Sequence, residues 1–294
     1  MNPSSKPASV DVTALQDRKG HTETLIDQIT VAPLVAMAAT LDRGDPMPVV
    51  GTELPPLWHW LFFLPQARHS DIDLDGHPKR GTFLPPASLP RRMWAGGRLQ
   101  WHAPIAVGDM VRRVSRIESV TQKSGRSGPM LFVLVRHEIH GPTGLALTEE
   151  QDIVYRAAPS ASDSAPAPTA APLTATFSRE VHADPVLLFR YSALTFNGHR
   201  IHYDRPYAMQ EEGYPGLIVH GPLIATLLVD LIRHQYPGRR FSRFSFRAVR
   251  PTFDGHPLRV CGRPEHGPGD PKVRLWAQDH EGWTTMQAEA ELTE

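Results

Sequence analysis

Two nine-residue stretches decide the fold: PIAVGDMVR at Pro104–Arg112 and PTFDGHPLR at Pro251–Arg259. Both fit the pattern Pro-x3-Gly-x2-apolar-Arg, and each lies in the later part of one half of the 294-residue chain. A segment ending in an aromatic residue precedes each stretch, at Leu99–Trp101 and at Phe241–Phe246. Repetition of this kind indicates that the two halves are degenerate copies of one unit.

Two strand-like segments joined by a turn follow each stretch. In the first half they are Met130–His140 and Leu145–Tyr155, and in the second half they are Lys272–Asp279 and Trp283–Leu292. Apolar and polar residues alternate strictly from Met286 to Leu292. Strict alternation is the pattern of a strand with one buried face, so we predict antiparallel strands at the end of each half.

Helices are predicted before the strands in each half. Thr30 can cap a helix over Val31–Leu41, whose apolar residues keep helical spacing. A further helix is expected to start with proline in each half, at Pro56-Leu57-Trp58 and at Gly221-Pro222-Leu223, because proline suits the first helical turn. Helices followed by antiparallel strands, twice over, predict an α+β fold with a helix packed on a sheet in each half.

Composition divides the chain into four segments. Residues 157–172, AAPSASDSAPAPTAAP, predict a linker because Pro, Ala and Ser bury little apolar surface. One unit is therefore expected at residues 30–156 and another at residues 173–294. Residues 1–29 are predicted to be a mobile N-terminal segment.

Charge and cysteine content exclude several classes of protein. The 31 basic residues balance 31 acidic ones, which argues against a protein that binds nucleic acid by neutralising phosphates. Cys261 is the only cysteine, so no internal disulfide can form. Polar residues interrupt the apolar run Leu217–Ile232, and no secretory signal is visible, so we expect no membrane span and a cytoplasmic location.

The second half contains the most specific motif. Residues Tyr191–Asp204 read YSALTFNGHRIHYD, and Pro215–Leu223 read PGLIVHGPL. They resemble the MaoC-like hydratases and dehydratases, which carry an Asp and a His five residues apart in a loop and a His-Gly step at the start of a central helix. Here Asn197 and His202 have that spacing, and His220-Gly221 matches the step.

A closer resemblance is to the type 2 hydroxyacyl-thioester dehydratases, a group that includes mesaconyl-CoA hydratases. The shared residues are Asn197–Asp204, the Gly-Tyr-Pro-Gly-Leu sequence of residues 213–217, and His77–Pro86. The resemblance covers about Thr30 to Leu292 and implies a double hot-dog fold, in which each of two tandem units is a helix wrapped by an antiparallel sheet. It also implies an acyl-CoA substrate and no cofactor besides the CoA of that substrate.

The residues of the motif suit hydration of an α,β-unsaturated thioester. Histidine transfers protons near neutral pH, so His202 is the predicted general acid and base. The Asn197 amide both donates and accepts hydrogen bonds and can hold the attacking water. The backbone N–H of Gly221, at the start of a helix, can stabilise the thioester oxygen. Since Asn197 replaces the Asp of the MaoC-like pattern, His202 would transfer the proton without a second carboxylate.

One active site per chain is expected. Aligning Ala38–Gly44 with Ser192–Gly198 places Arg43 opposite Asn197 and Pro48 opposite His202. The first half therefore lacks both catalytic residues and is predicted to be non-catalytic.

Several other residues are candidates for binding the substrate. Arg200 lies within the motif and could pair with a substrate carboxylate, and Arg247 and Arg250 could bind CoA phosphates. His199 and His220 are expected to contact the substrate or to support His202. A metal site on His199, His202, Asp204 and His220 is the alternative, but no further ligand pattern supports it, so no metal is predicted.

The sequence therefore predicts a hydro-lyase that adds water to an enoyl-CoA, with mesaconyl-CoA as the type substrate. The alternatives are a 3-hydroxyacyl-thioester dehydratase of broader chain length, an acyl-CoA thioesterase and a non-catalytic acyl-CoA-binding module. A homodimer is the only protein partner predicted.

Overall fold

The computed structural model describes residues 17–294 except 82, 88, 90, 126–127, 158–166, 268 and 270. Within these residues, ten antiparallel strands form one continuous sheet in the order β1-β3-β4-β5-β2-β7-β10-β9-β8-β6. The strands of the first half are β1 (Thr22–Gln28), β2 (Arg91–Trp101), β3 (Met110–Gly125), β4 (Gly128–Gly141) and β5 (Gly144–Arg156). Those of the second half are β6 (Phe177–Val181), β7 (Arg240–Ala248), β8 (Leu258–Pro264), β9 (Lys272–Gln278) and β10 (Thr284–Thr293).

The strand order reads the same from either edge when β1–β5 are exchanged with β6–β10. The halves meet where β2 pairs with β7, and Arg98 lies opposite Ser245 in that pair. Equivalent residues of the two repeats, such as Pro104 and Pro251, are 147 positions apart, and so are Arg98 and Ser245. Equivalent residues therefore pair with each other here, and an approximate twofold axis passes through this pair. The predicted duplication is confirmed by the topology.

The repeated nine-residue stretches have the same backbone geometry. Gly108 and Gly255 have φ of 100° and 90°, a left-handed conformation that glycine adopts without strain. Ala106 and Phe253, two residues before each glycine, form isolated bridges to Glu53 and Ile218. Each stretch therefore makes the same turn, into β3 in the first half and into β8 in the second. Its bridge holds the segment that precedes the 3₁₀ turn of the first half or the long helix of the second half.

The helices are α1 (Val31–Thr40), α2 (Pro185–Leu194) and α3 (Gly221–Gln235). Helix α2 begins 154 residues after α1 begins and ends 154 residues after α1 ends. The same separation was used to align Ala38–Gly44 with Ser192–Gly198, so α1 and α2 are equivalent helices of the two halves. Helix α3 is the central helix of the second half, and every residue from Leu223 to Ile232 is buried.

The second helix predicted for the first half is wrong. A four-residue 3₁₀ turn, Trp58–Leu61, takes its place. Leu57 has φ 69° and Phe63 has φ 54°, so the backbone leaves the helical region on both sides. Pro65 follows shortly after, and the residue before a proline, here Leu64, is disfavoured in the α conformation.

The side chains of this turn contact a buried carboxylate on β5. Trp60 Nε1 and His59 Nε2 each lie 3.0 Å from a carboxylate oxygen of Glu149 on β5. Glu149 is buried, so these two contacts give its carboxylate the partners that burial requires.

The expected boundaries of the outer segments also need correction. Residues 22–28, assigned to the mobile N-terminal segment, form β1, because their backbone pairs with residues 110–116 of β3. Part of the predicted linker lies at 158–166, outside the described residues, but Ala170 pairs with Trp283 beside β10. Among the described residues, no helix is both long enough and apolar enough to cross a membrane.

A loop of the first half crosses the motif of the second half at two glycines. A Cβ built on Gly76 would lie 1.8 Å from the carbonyl oxygen of Gly198, and one on Gly198 would lie 2.6 Å from that of Gly76. Beside the crossing, Arg200 N–H donates to the carbonyl of Asp75 at 2.9 Å. The two halves are thus in backbone contact at the motif.

We expect Gly76→Ala to destabilise the protein by about 3 kcal/mol, because the new methyl group would meet backbone that cannot move aside. Gly51→Ala is the matched control, since Gly51 and Gly76 both have φ 89° but nothing lies within 4 Å of a Cβ at Gly51. Its cost should be about 1–2 kcal/mol, from the left-handed backbone alone. Denaturant unfolding measures both variants, and equal destabilisation would contradict the crossing.

Candidate active site

The loop after α2 carries the motif, and its backbone is held by local hydrogen bonds. Phe196 has φ 49°, which turns the chain back so that Asn197 N–H donates to the Ser192 carbonyl at 2.8 Å. Asn197 Oδ1 accepts a hydrogen bond from His199 N–H at 3.0 Å. In the described part of the chain the Asn197 NH₂ has no protein partner, so it can donate to a water or a ligand.

His202 is held in one tautomer by the backbone. It lies in a 3₁₀ turn, Arg200–His202, and its Nδ1 is 2.7 Å from the Ile218 carbonyl oxygen. A carbonyl only accepts, so Nδ1 carries the proton and Nε2 of the neutral ring has a lone pair. No described residue hydrogen-bonds to that Nε2.

His220 supports His202 from the start of α3. The two rings stack with centroids 3.7 Å apart and planes 19° apart. The Nε2 of His220 is 2.8 Å from the Ser192 hydroxyl on α2, and the ring is fully buried. Helix α2, helix α3 and the loop between them therefore all restrict the orientation of His202.

Burial keeps these rings neutral at neutral pH. It lowers the pKa of His202 to about 4 and the pKa of His220 well below its ordinary value. The pKa of His199 is lowered to about 2, first by burial and then by the charges that His77 and His202 would carry. His202 therefore meets the substrate as a base rather than as an acid.

The first half contributes Asp75 and His77, which sequence reasoning missed. The Nδ1 of His77 is 3.0 Å from Asp75 Oδ2, and its ring centroid is 4.0 Å from that of His199. The His199 ring meets the His202 ring edge-on at 5.4 Å. Four histidine rings therefore form a continuous row. The stretch His77–Pro86 was part of the family resemblance, which was the available signal, but sequence alone does not show that it meets the motif.

The start of α3 provides a donor beside His202. Gly221 is the first residue of α3 and directly follows His220. Within the described residues its N–H has no hydrogen-bond partner, and the positive end of the helix dipole lies there. A thioester oxygen placed at this point would meet an unpaired donor.

The predicted arginines do not join the histidine row. Arg200 donates to Asp204 Oδ2 at 2.8 Å, and its guanidinium lies 4.1 Å from the Tyr207 ring centre. Arg247 is exposed and donates to Gln287, while Arg250 lies 3.8 Å from Asp279. None of the described contacts of these three arginines is with a histidine of the row.

Metal binding is the other chemistry that these side chains could support. Asp75, His77 and His199 offer ligand atoms within 4.8 Å of one another. The charge of Arg92, however, opposes positive charge on both histidines and lowers their pKa in addition to burial. The same field opposes a bound cation. The absence of a metal stays a prediction, and this electrostatic argument supports it.

In the first half, Arg43 lies at the position equivalent to Asn197. Arg43 N–H donates to the Ala38 carbonyl, as Asn197 N–H does to that of Ser192, which supports the alignment of the halves. The Arg43 guanidinium pairs with Asp230 of α3 and with Asp45. An ion pair between the halves therefore lies where the second half has Asn197.

The chain is similar in sequence to known hydratases and dehydratases. The sequence profile of the family described as hydroxyacyl-thioester dehydratase type 2 matches residues 57–254. A protein named Mesaconyl-C(4)-CoA hydratase, from Chloroflexus aurantiacus, is 50% identical over 93% of this chain and 96% of its own length.

Solved structures show the same fold. A MaoC-like dehydratase superposes with a TM-score of 0.71 at 14% identity, over 95% of this chain and 99% of that protein. A Mycobacterium tuberculosis protein described as a double hotdog fold gives a TM-score of 0.55 at 14% identity, over 94% and 96% of the two chains. The predicted α+β double hot-dog fold is confirmed, and the chain is a hydro-lyase that belongs to the hydroxyacyl-thioester dehydratase type 2 family.

Proposed function

We propose that the protein adds water reversibly to the double bond of an enoyl-CoA of the short, branched, dicarboxylic class, with mesaconyl-CoA as the type substrate. The observation that carries the proposal is the buried, neutral His202, whose Nε2 lone pair faces no protein partner among the described residues. The substrate class is supported by the 50% identity to the protein named Mesaconyl-C(4)-CoA hydratase.

The His202 Nε2 takes a proton from water while the water oxygen bonds to the β-carbon. The electron pair of the double bond moves onto the thioester as an enolate. The imidazolium then returns the proton to the α-carbon, so one water is consumed and His202 ends neutral. Burial disfavours the imidazolium, which makes this return favourable.

Asn197 positions the attacking water, and Gly221 stabilises the enolate oxygen. The free NH₂ of Asn197 donates to the water oxygen, while its Oδ1 holds the loop through His199. The Gly221 N–H donates to the enolate oxygen, where the helix dipole also favours negative charge. His199 and His220 restrict the His202 ring in this scheme, and neither transfers a proton.

The second candidate is dehydration of 3-hydroxyacyl thioesters of broader chain length, which the family match favours. The decisive experiment incubates the protein with mesaconyl-CoA and crotonyl-CoA and follows the enoyl absorbance together with free thiol. Loss of absorbance without thiol release identifies hydration. Thiol release would instead identify a thioesterase, and no change in either signal would leave only acyl-CoA binding.

Two further features of the protein stay predictions from the sequence: the cytoplasmic location and a homodimer. Cys261 is buried, and burial raises the pKa of its thiol to about 11. Any dimer would therefore be non-covalent.

We expect His202→Ala to lower kcat by about 10³-fold, in the range measured for removal of a general acid–base residue. Asn197→Ala should cost about 10-fold to 100-fold, because it removes one hydrogen bond to the water and loosens the loop. Steady-state hydration assays measure both changes. His182→Ala, at an exposed histidine of the same half, is the control and should match wild type. Wild-type activity in His202→Ala would reject His202 as the base.

The pH dependence of the reaction should reflect the lowered pKa of His202. The residue works as a base only when neutral, so kcat/KM should stay constant down to about pH 5 and fall about tenfold per pH unit below about pH 4. An ordinary histidine would place this fall near pH 6.5.

Acid unfolding must be separated from this effect on the rate. The unfolded chain takes up protons on histidines that are neutral when buried, so stability declines as pH falls below about 6.5. Brief pH-jump assays with circular dichroism at each pH distinguish the two. An inflection of kcat/KM near pH 6.5 in the folded enzyme would contradict the assignment.

A further inference from the structure

Arg92 lies on the side of the sheet that faces the first-half loop of the site. It is the second residue of β2 and is paired with Tyr155 of β5. Directly opposed residues on antiparallel strands share a face of the sheet. The Tyr155 ring is fully buried and lies 5.9 Å from the guanidinium carbon of Arg80. Arg80 belongs to the same loop as His77, so Arg92 points towards that loop.

The neighbouring arginine has a different environment. Side chains alternate along a strand, so Arg91 is directed to the other face. The Nη2 of Arg91 lies 3.0 Å from a carboxylate oxygen of Glu212 and donates to the Glu212 carbonyl at 2.6 Å. Arg92, by contrast, forms no ion pair with a carboxylate in the part of the chain that the structure describes. Adjacent positions of β2 therefore carry one neutralised and one unneutralised arginine.

Arg92 brings positive charge to the histidines of the first-half loop and the motif. The charged groups that act on His77 are Arg80, Arg92 and Asp75. Asp75 is hydrogen-bonded to His77, and Arg80 donates to the carbonyl oxygens of Ala87 and Leu89. The charge of Arg92 reaches both His77 and His199 and lowers their pKa. An anion is the ligand that would balance this charge.

The row of histidines connects the loop that Arg92 faces to His202, where the reaction is proposed to occur. The His77 ring is 4.0 Å from His199, and the His199 ring is 5.4 Å from His202. In a β-carboxylated enoyl thioester, the carboxylate is bonded to the carbon that water attacks, one carbon–carbon bond of about 1.5 Å away. A substrate with its β-carbon at His202 would therefore hold its carboxylate beside the reacting centre, next to the histidine row on which the charge of Arg92 acts. Guanidinium binds carboxylate through two parallel hydrogen bonds.

We propose that Arg92 binds the free carboxylate of a dicarboxylic enoyl thioester, beside His77 and His199, and so selects this substrate class. The proposal rests on the proposed hydration at His202 and names the residue that recognises its substrate. It replaces Arg200 in this role, because Arg200 is already paired with Asp204.

The test compares two substrates in matched variants. Arg92→Gln should lower kcat/KM for mesaconyl-CoA by about 100-fold, as expected for loss of one partner of a hydrogen-bonded charge pair. Hydration of crotonyl-CoA, which lacks the carboxylate, should change by less than about threefold. Arg92→Lys keeps the charge without the two-pronged geometry and should lose about 10-fold on mesaconyl-CoA alone. Arg91→Gln is the control and should affect both substrates equally.

A binding measurement complements the rates. Succinyl-CoA has a free carboxylate but no double bond to hydrate. Butyryl-CoA also lacks the double bond and has no free carboxylate. In wild type, succinyl-CoA should inhibit crotonyl-CoA hydration more strongly than butyryl-CoA. In Arg92→Gln this preference should disappear.

The outcomes separate this inference from the proposed function. Equal losses on both substrates in Arg92→Gln, or an unchanged preference for succinyl-CoA, would overturn the role of Arg92. A wild-type enzyme that hydrates crotonyl-CoA but not mesaconyl-CoA would overturn the substrate class, and with it the carboxylate at Arg92. Full activity of His202→Ala would overturn the catalytic assignment while leaving the preference for succinyl-CoA as evidence for the carboxylate site.

Discussion

The pairing of β2 with β7 is the contact on which the rest of the molecule depends. It turns two five-stranded sheets into one and sets the approximate twofold axis through Arg98 and Ser245. The strands can approach because β2 has two glycines there. A Cβ on Gly96 would lie 2.5 Å from the Phe246 carbonyl oxygen, and one on Gly97 would lie 2.9 Å from the Phe246 ring. This pairing holds the halves together, so that a loop of the first half reaches the motif of the second.

Divergence of the two halves explains why the site is asymmetric. The second half buries α3 in its sheet and places His220 and Gly221 at the start of that helix. The first half has a short 3₁₀ turn at the corresponding place and a buried Glu149 bonded to His59 and Trp60. It retains a different role, because its Asp75 and His77 extend the histidine row and its Arg92 supplies charge. The duplicated fold thus works as one site built from two unequal halves.

Burial sets the chemical character of the row. Four imidazoles lie close together, and burial lowers the pKa of each; Asp75 partly offsets this at His77, and the charge of Arg92 adds to it at His77 and His199. The backbone carbonyl of Ile218, rather than a carboxylate, orients His202. This arrangement suits a base that takes up a proton briefly and returns it. It also suits a site in which Asn197 takes the place of the Asp of the MaoC-like pattern.

Local sequence determined the features that depend on periodicity, spacing and turn chemistry. The strand pairs at the end of each half, the early helix of each half, the duplication and the start of α3 at the His-Gly step were predicted correctly. Tertiary structure decided what depends on contacts distant in the chain. Proline at Pro56 predicted a helix, yet the chain leaves the helical region at Leu57 and Phe63. Arg200 was predicted to bind substrate from its place in the motif, and the tertiary structure adds a hydrogen bond from its guanidinium to the Leu74 carbonyl of the first half. His77 reaches His199 only through the close crossing of Gly76 and Gly198, and Arg92 faces the loop of His77 only through strand pairing, because such contacts leave no periodic trace in the sequence.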